Sequence, residues 1–166
     1  MRLNLLIAGD GTEAENIRAY AQAKLADRTQ FLGYVRGTAK ATVFSSADIY
    51  VMPTSYGEGL PVSLLEAMTF GLPVITRPVG GLKDIFIDGQ HGFITESTDP
   101  EVIAGLIEKL LADPPLWRSI CRQTHQFACE NFLGSMVAAN AAAIFRQVYD
   151  TSRISVSSDK NAKTLD

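Results

Sequence analysis

The sequence predicts an α/β fold, a doubly wound parallel sheet of about five strands followed by a helical carboxyl-terminal region. Three observations predict it. Short apolar runs of strand length recur along the chain, and helical patterns separate them. Two of these runs stop directly at Gly9 and at Pro53, so the strand leads into a turn before its helix.

Residues 3–8 form a nearly continuous apolar run stopped by Gly9-Asp10-Gly11, as in a strand buried on both faces. Thr12 can cap the next helix, with Glu15 as its capping-box partner, and Ile17, Tyr20, Ala21, Lys24 and Leu25 continue it. Residues 29–35 return to strand character, 38–47 to helix and 48–52 to strand, ending at Pro53. Pro61 opens a helix whose apolar face is Val62, Leu64, Leu65, Ala67 and Met68 and which ends at Gly71. Residues 73–76 read as the fourth strand. Gly80-Gly81 precedes a helical stretch to Asp88, and residues 92–95 read as the fifth strand. From Asp99-Pro100 the pattern is helical to about Tyr149, with breaks at Asp113-Pro114-Pro115 and Gly134. The expected domain spans residues 1–150, and the Ser-, Asp- and Lys-rich residues 151–166 are expected to be a disordered tail.

At 166 residues, with 46% hydrophobic and 20% charged residues, the chain has the usage of one folded domain. A net charge of -3 and no Lys/Arg cluster longer than a pair argue against a nucleic-acid partner. Apolar runs such as residues 3–8 and 48–53 are of strand length, far short of the roughly 20 residues that span a bilayer. About six apolar residues precede Gly9, too few for a signal peptide, so the expected location is cytoplasmic. Cys121 and Cys129 lie eight apart in a helical pattern, too far for a disulfide. His91 and His125 read as surface or helix residues, and neither they nor Asp84, Asp88, Glu58 and Glu66 make a metal signature. No cofactor is expected.

Doubly wound sheets bind ligands beyond the carboxyl ends of their strands. Four loops are thereby selected: residues 9–11, 33–37, 54–60 and 77–81. The richest reads Thr54-Ser55-Tyr56-Gly57-Glu58-Gly59-Leu60-Pro61 and runs into the helix carrying Glu66. Amides at a helix start, with the positive end of its dipole, suit a phosphate near Val62 and Ser63. Gly57 and Gly59 allow close approach, and Glu58 and Glu66 can bracket a ligand bearing vicinal hydroxyls. The bland reading assigns Glu58 to helix-start electrostatics and Glu66 to a solvated face. Against it, Glu66 interrupts the apolar surface of Leu64, Leu65, Ala67 and Met68. Gly9-Asp10-Gly11 is a weak dinucleotide fingerprint and reads better as a tight turn. Gln30-Phe31-Leu32-Gly33 offers no acidic residue where an NAD site needs one.

Residues 58–68, from Glu58 through Glu66 to Met68, resemble the glutamate, seven residues, glutamate motif of glycosyltransferase family 4, the glycosyl transferases group 1. Further matched segments keep the family's order: Ala8-Gly9-Asp10-Gly11, Phe31-Leu32-Gly33-Tyr34-Val35, residues 47–54, Gly71-Leu72-Pro73-Val74-Ile75, and Val79-Gly80-Gly81 with Asp88-Gly89 and Gly92 beyond. The resemblance covers residues 3–149. It implies the carboxyl-terminal Rossmann-like domain of a GT-B fold, which binds the nucleotide-sugar donor of a retaining, metal-free glycosyltransferase.

By that likeness Glu58 meets the donor sugar at the catalytic centre, in a binding role and not as a nucleophile. The backbone of Gly59, Leu60, Pro61 and Val62 meets sugar and diphosphate, Glu66 binds the ribose hydroxyls, and the backbone of Tyr34, Val35 and Arg36 reads the nucleobase edge. In the family this domain begins with a further strand and helix bearing an arginine and a lysine for the diphosphate, and the chain starts after them. The resemblance therefore implies a piece of a longer enzyme, inactive alone. Its partners would be a nucleotide-diphosphate sugar and an amino-terminal acceptor domain of the same chain, with peripheral association of the full enzyme at the inner face of the membrane. A different class of function, a nucleotide- or nucleotide-sugar-binding module without turnover, would use the same site.

Overall fold

Strand β4 (Val74–Thr76) is the best-buried strand, with all three residues inaccessible to solvent. It pairs in parallel with β3 (Tyr50–Met52) on one side and β5 (Gly92–Ile94) on the other. The Thr76 hydroxyl donates to the Met52 carbonyl at 3.0 Å and reinforces the first pairing. Gly92 makes the second one close, because at its φ of +130° an added Cβ would overlap the Val74 backbone. A second, two-stranded parallel sheet joins β1 (Leu5–Ala8) to β2 (Thr29–Gly33). The structure is a computed structural model that describes residues 3–57 and 59–162, without the side chains of Ala26 and residues 152–162.

Five parallel strands therefore form as expected, but they are divided between two small sheets, β1-β2 and β3-β4-β5. Side chains alternate across the larger sheet, as a pleated strand requires. Val74 joins Leu64, Met68, Leu82, Phe86 and Ala128 in a core on one face. Ile75 joins Phe93, Leu110 and Ile120 on the other. These residues bring in α3 (Val62–Thr69), α4 (Leu82–Ile85), α5 (Pro100–Ala112) and α6 (Pro114–Asn131), so helices cover both faces.

Between the strands, α1 (Ala14–Leu25) packs by β2, where the Arg18 guanidinium lies 4.6 Å from the Phe31 ring centroid, and α2 (Gly37–Ser46) leads to β3. Thr12 does not take the expected capping role. The turn into α1 is closed by the backbone, with the Ala14 amide donating to the Gly11 carbonyl at 3.0 Å. Farther on, Asp99 accepts from the Glu101 amide and Asp113 from the Leu116 amide, each at 2.9 Å. With Pro100 and Pro114 opening α5 and α6, the residues that break the helical pattern also cap the next helix.

The last helix, α7 (Gly134–Ala162), continues past Tyr149 into the segment whose composition suggests a disordered tail. After Gly134 the sequence contains neither glycine nor proline to stop it. Residues 163–166 lie outside the described residues.

His91 is not a surface residue. It is 2% exposed, stacked on Phe127 at 4.4 Å between ring centroids and edge-on to Phe86 at 5.6 Å. Its Nδ1 accepts the Ile87 amide at 3.2 Å, and burial holds its pKa below the ordinary histidine value. Cys121 and Cys129 are both free and half-buried.

Candidate functional site

The loop of residues 53–61 leaves the carboxyl end of β3 and feeds straight into α3. Pro61 caps that helix without a side-chain hydrogen bond, and its carbonyl accepts the amides of Leu64 and Leu65 at 3.1 and 3.3 Å. The two earlier amides, of Val62 and Ser63, lie in the first turn, where helix geometry supplies no partner within the helix. Val62 is 67% exposed and Leu60 and Gly59 are exposed beside it, while Pro61 is buried and anchors the turn. The arrangement presents amide donors and a positive helix end to solvent, which is what an anion needs. Ser63 is held from below, its Oγ accepting the Tyr50 hydroxyl at 2.9 Å.

The loop after β4 meets this one. The Gly81 amide donates to the Gly59 carbonyl at 2.7 Å, joining two of the four loops at the strand ends. The other two are joined in the same way, with the Gly9 amide donating to the Gly33 carbonyl at 2.7 Å. Glu58 lies outside the described residues.

Glu66 sits on α3 about one turn beyond Val62, half-exposed. It is not simply solvated, because Lys40 of α2 donates to both of its carboxylate oxygens at 2.7 Å. Nothing in the sequence pattern singles out Lys40. Its partner lies 26 residues away, and only the packing of α2 on α3 brings them together. The loop between β2 and α2 carries Tyr34, Val35 and Arg36. Tyr34 is 71% exposed, and the Arg36 guanidinium lies 4.6 Å from its ring centroid. This loop opens directly into the helix that holds Lys40, so the residues assigned to base and ribose lie on elements joined by the Lys40–Glu66 contact.

A separate cleft of about 330 Å³, lined by Pro78, Lys83, Phe86, Asp88, Ile94, Thr95 and Glu96, lies beyond the ends of β4 and β5. Its residues come from the loop after β4, from α4 and the turn that follows it, and from the end of β5 and the residues beyond. Among the described residues no group of three or more His, Cys, Asp or Glu side chains is arranged to hold a metal ion. No single helix among them is long and apolar enough to cross a membrane, and α6 and α7 reach that composition only as a pair bent by 44°.

Residues 1–127 match the family described as glycosyl transferases group 1. The chain is 33% identical over 114 residues to phosphatidyl-myo-inositol mannosyltransferase of Mycobacterium leprae (strain TN), covering 69% of this chain and 30% of that protein. Sucrose-phosphate synthase from Thermosynechococcus elongatus has the same fold, with a TM-score of 0.76 and 28% identity over 90% of this chain and 39% of that one. Anabaena HepE, solved in complex with UDP-glucose, superposes with a TM-score of 0.76 at 19% identity, over 87% of this chain and 41% of that one. The chain spans about a third of the length of the curated relatives it matches.

Proposed function

Because the chain belongs to the glycosyl transferases group 1 family, we propose that it is the donor-binding half of a retaining glycosyltransferase, which moves a sugar from a nucleotide-sugar to an acceptor hydroxyl. One observation carries the reading. The exposed start of α3, with the amides of Val62 and Ser63, and the carboxylate of Glu66 share one short helix at the carboxyl end of β3. A nucleoside diphosphate has the matching pair of groups, an anion and a vicinal diol.

In this reading the diphosphate lies against the backbone of Gly59, Leu60, Pro61 and Val62 and the first turn of α3. Fixed amides there stabilise the negative charge that grows on the diphosphate as it departs. Glu66 accepts the ribose hydroxyls, and the backbone of Tyr34, Val35 and Arg36 lies along the base. Glu58 approaches the transferring sugar and holds its hydroxyls. The UDP-glucose bound by Anabaena HepE supports a nucleotide-sugar as the ligand class. An amino-terminal acceptor domain of the same longer chain would close the cleft.

The divided sheet supports the same reading. In the doubly wound order 3-2-1-4-5-6 the first strand lies between the second and the fourth. If β1 to β5 are the second to sixth strands of that order, a strand belongs between β1 and β3. That strand and the helix after it would bring the cationic residues for the diphosphate.

The test is a transfer assay on the 166 residues alone and joined to the acceptor domain. The expected result is no turnover by the chain alone, because half of the positioning is absent, and an α-linked product from an α-linked donor once joined. A product of inverted configuration would overturn the retaining assignment.

A further inference from the structure

The Lys40–Glu66 contact has an unusual symmetry for a pair of side chains that are 32% and 36% exposed. The ammonium sits in the fork of the carboxylate, 2.7 Å from each oxygen. A flexible surface pair has no reason to hold that geometry, and pairs of this exposure contribute little to stability.

The packing beneath explains it. Phe44 follows Lys40 by one helical turn on α2, and Phe70 follows Glu66 by one turn at the end of α3. The two rings lie 5.4 Å apart between centroids. Phe44 is itself buried against Ala67 and Leu72 and meets the Tyr50 ring edge-on at 5.9 Å. A packed aromatic rung thus fixes the spacing of the helices one turn away from the ion pair.

We propose that Lys40 is a positioning residue that holds the Glu66 carboxylate in the orientation that turns an outer lone pair toward a ribose hydroxyl of a nucleoside diphosphate. This rests on the assignment of Glu66 to the ribose. An ionised carboxylate offers about four lone-pair sites. The ammonium in its fork takes the inner one on each oxygen and leaves the outer ones, which point apart, so that one of them can accept a ribose hydroxyl. Without Lys40 the carboxylate rotates, and that acceptor is no longer held toward the ribose.

The experiment measures the affinity of uridine diphosphate and of its 2′,3′-dideoxy analogue for the wild type, Lys40→Met, Lys40→Arg and Glu66→Gln. Wild type is expected to prefer the diol by about ten- to a hundredfold. Lys40→Met, which keeps the aliphatic stem, is expected to lose most of that preference while its affinity for the analogue stays where it was. Lys40→Arg should restore part of it, and Glu66→Gln should remove it, with Lys40→Met adding little in the double variant. If Lys40→Met weakens both ligands equally, or keeps the full preference, the positioning role is overturned and the ribose assignment stands. If the wild type itself has no preference, or binds neither ligand, the ribose assignment falls and the role of Lys40 falls with it.

Discussion

The Gly81 amide donates to the Gly59 carbonyl across 2.7 Å, so the loop after β4 holds the loop that enters α3. Gly81 has a φ of -73° and a Cβ there would stand 3.7 Å from the Gly59 oxygen, an ordinary contact. Gly81→Ala should therefore bind a nucleoside diphosphate like the wild type. Gly81→Pro removes the donor, and its loss of one hydrogen bond should weaken binding by up to about tenfold. Calorimetric titration of the two variants checks this, and equal affinities would show that the tie does not shape the site.

Gly92 tests the sheet and not the site. Its positive φ and its contact with the Val74 backbone leave no room for a side chain. Gly92→Ala should destabilise the domain by about 3 kcal/mol or more, from strain and overlap together. Chemical denaturation measures it, and a midpoint unchanged from wild type would contradict the close β4–β5 pairing.

His91 gives the domain a predictable acid sensitivity. Burial lowers its pKa from 6.5, so it stays neutral in the folded state while the unfolded chain takes up a proton. Its contribution is complete above the unfolded value and is lost as pH falls from there through the lower folded value. Denaturation midpoints measured from about pH 8 to about pH 5 should fall less steeply for His91→Gln than for wild type in that window. Identical slopes would remove His91 as the cause.

In the longer enzyme, Glu66→Ala and Glu58→Ala should fail differently. Binding to ribose is equal in ground and transition states, so loss of Glu66 should chiefly raise the donor KM. Loss of Glu58, whose proposed role is at a sugar gaining positive charge, should chiefly lower kcat. Each change should be about ten- to a hundredfold, the size of a hydrogen bond to a charged group. Steady-state kinetics with melting curves checks both. Unfolding of Glu66→Ala with intact nucleotide affinity in the folded fraction would make Glu66 structural.

The first and third strands and the loops at their ends were legible because Gly9 and Pro53 punctuate short apolar runs. Strand limits were less so. Residues 48 and 49 read as part of the third strand, yet β3 begins at Tyr50, where pairing with Val74 starts. The division of the sheet was hidden, since pairing between distant strands leaves no mark in any single run. Lys40 was missed for the same reason, as its role depends on how α2 lies against α3. His91 follows Gln90 in a polar turn, and only the distant Phe127 makes its surroundings aromatic. Beyond Tyr149 the composition suggests a tail while α7 runs on to Ala162, because serine and lysine weaken a helix without ending it. The exposed turn into α3 was readable from chemistry alone, since Gly59, Pro61 and the apolar face of α3 announce a loop entering a helix.

The most direct test of the donor site is an amide NMR titration of the chain with UDP, GDP and ADP up to about millimolar ligand. Saturable shifts are predicted at Leu60, Val62, Ser63 and Glu66 for at least one of the three. A flat response to all three, or shifts confined to the cleft around Lys83 and Glu96, would contradict a nucleotide site at the start of α3.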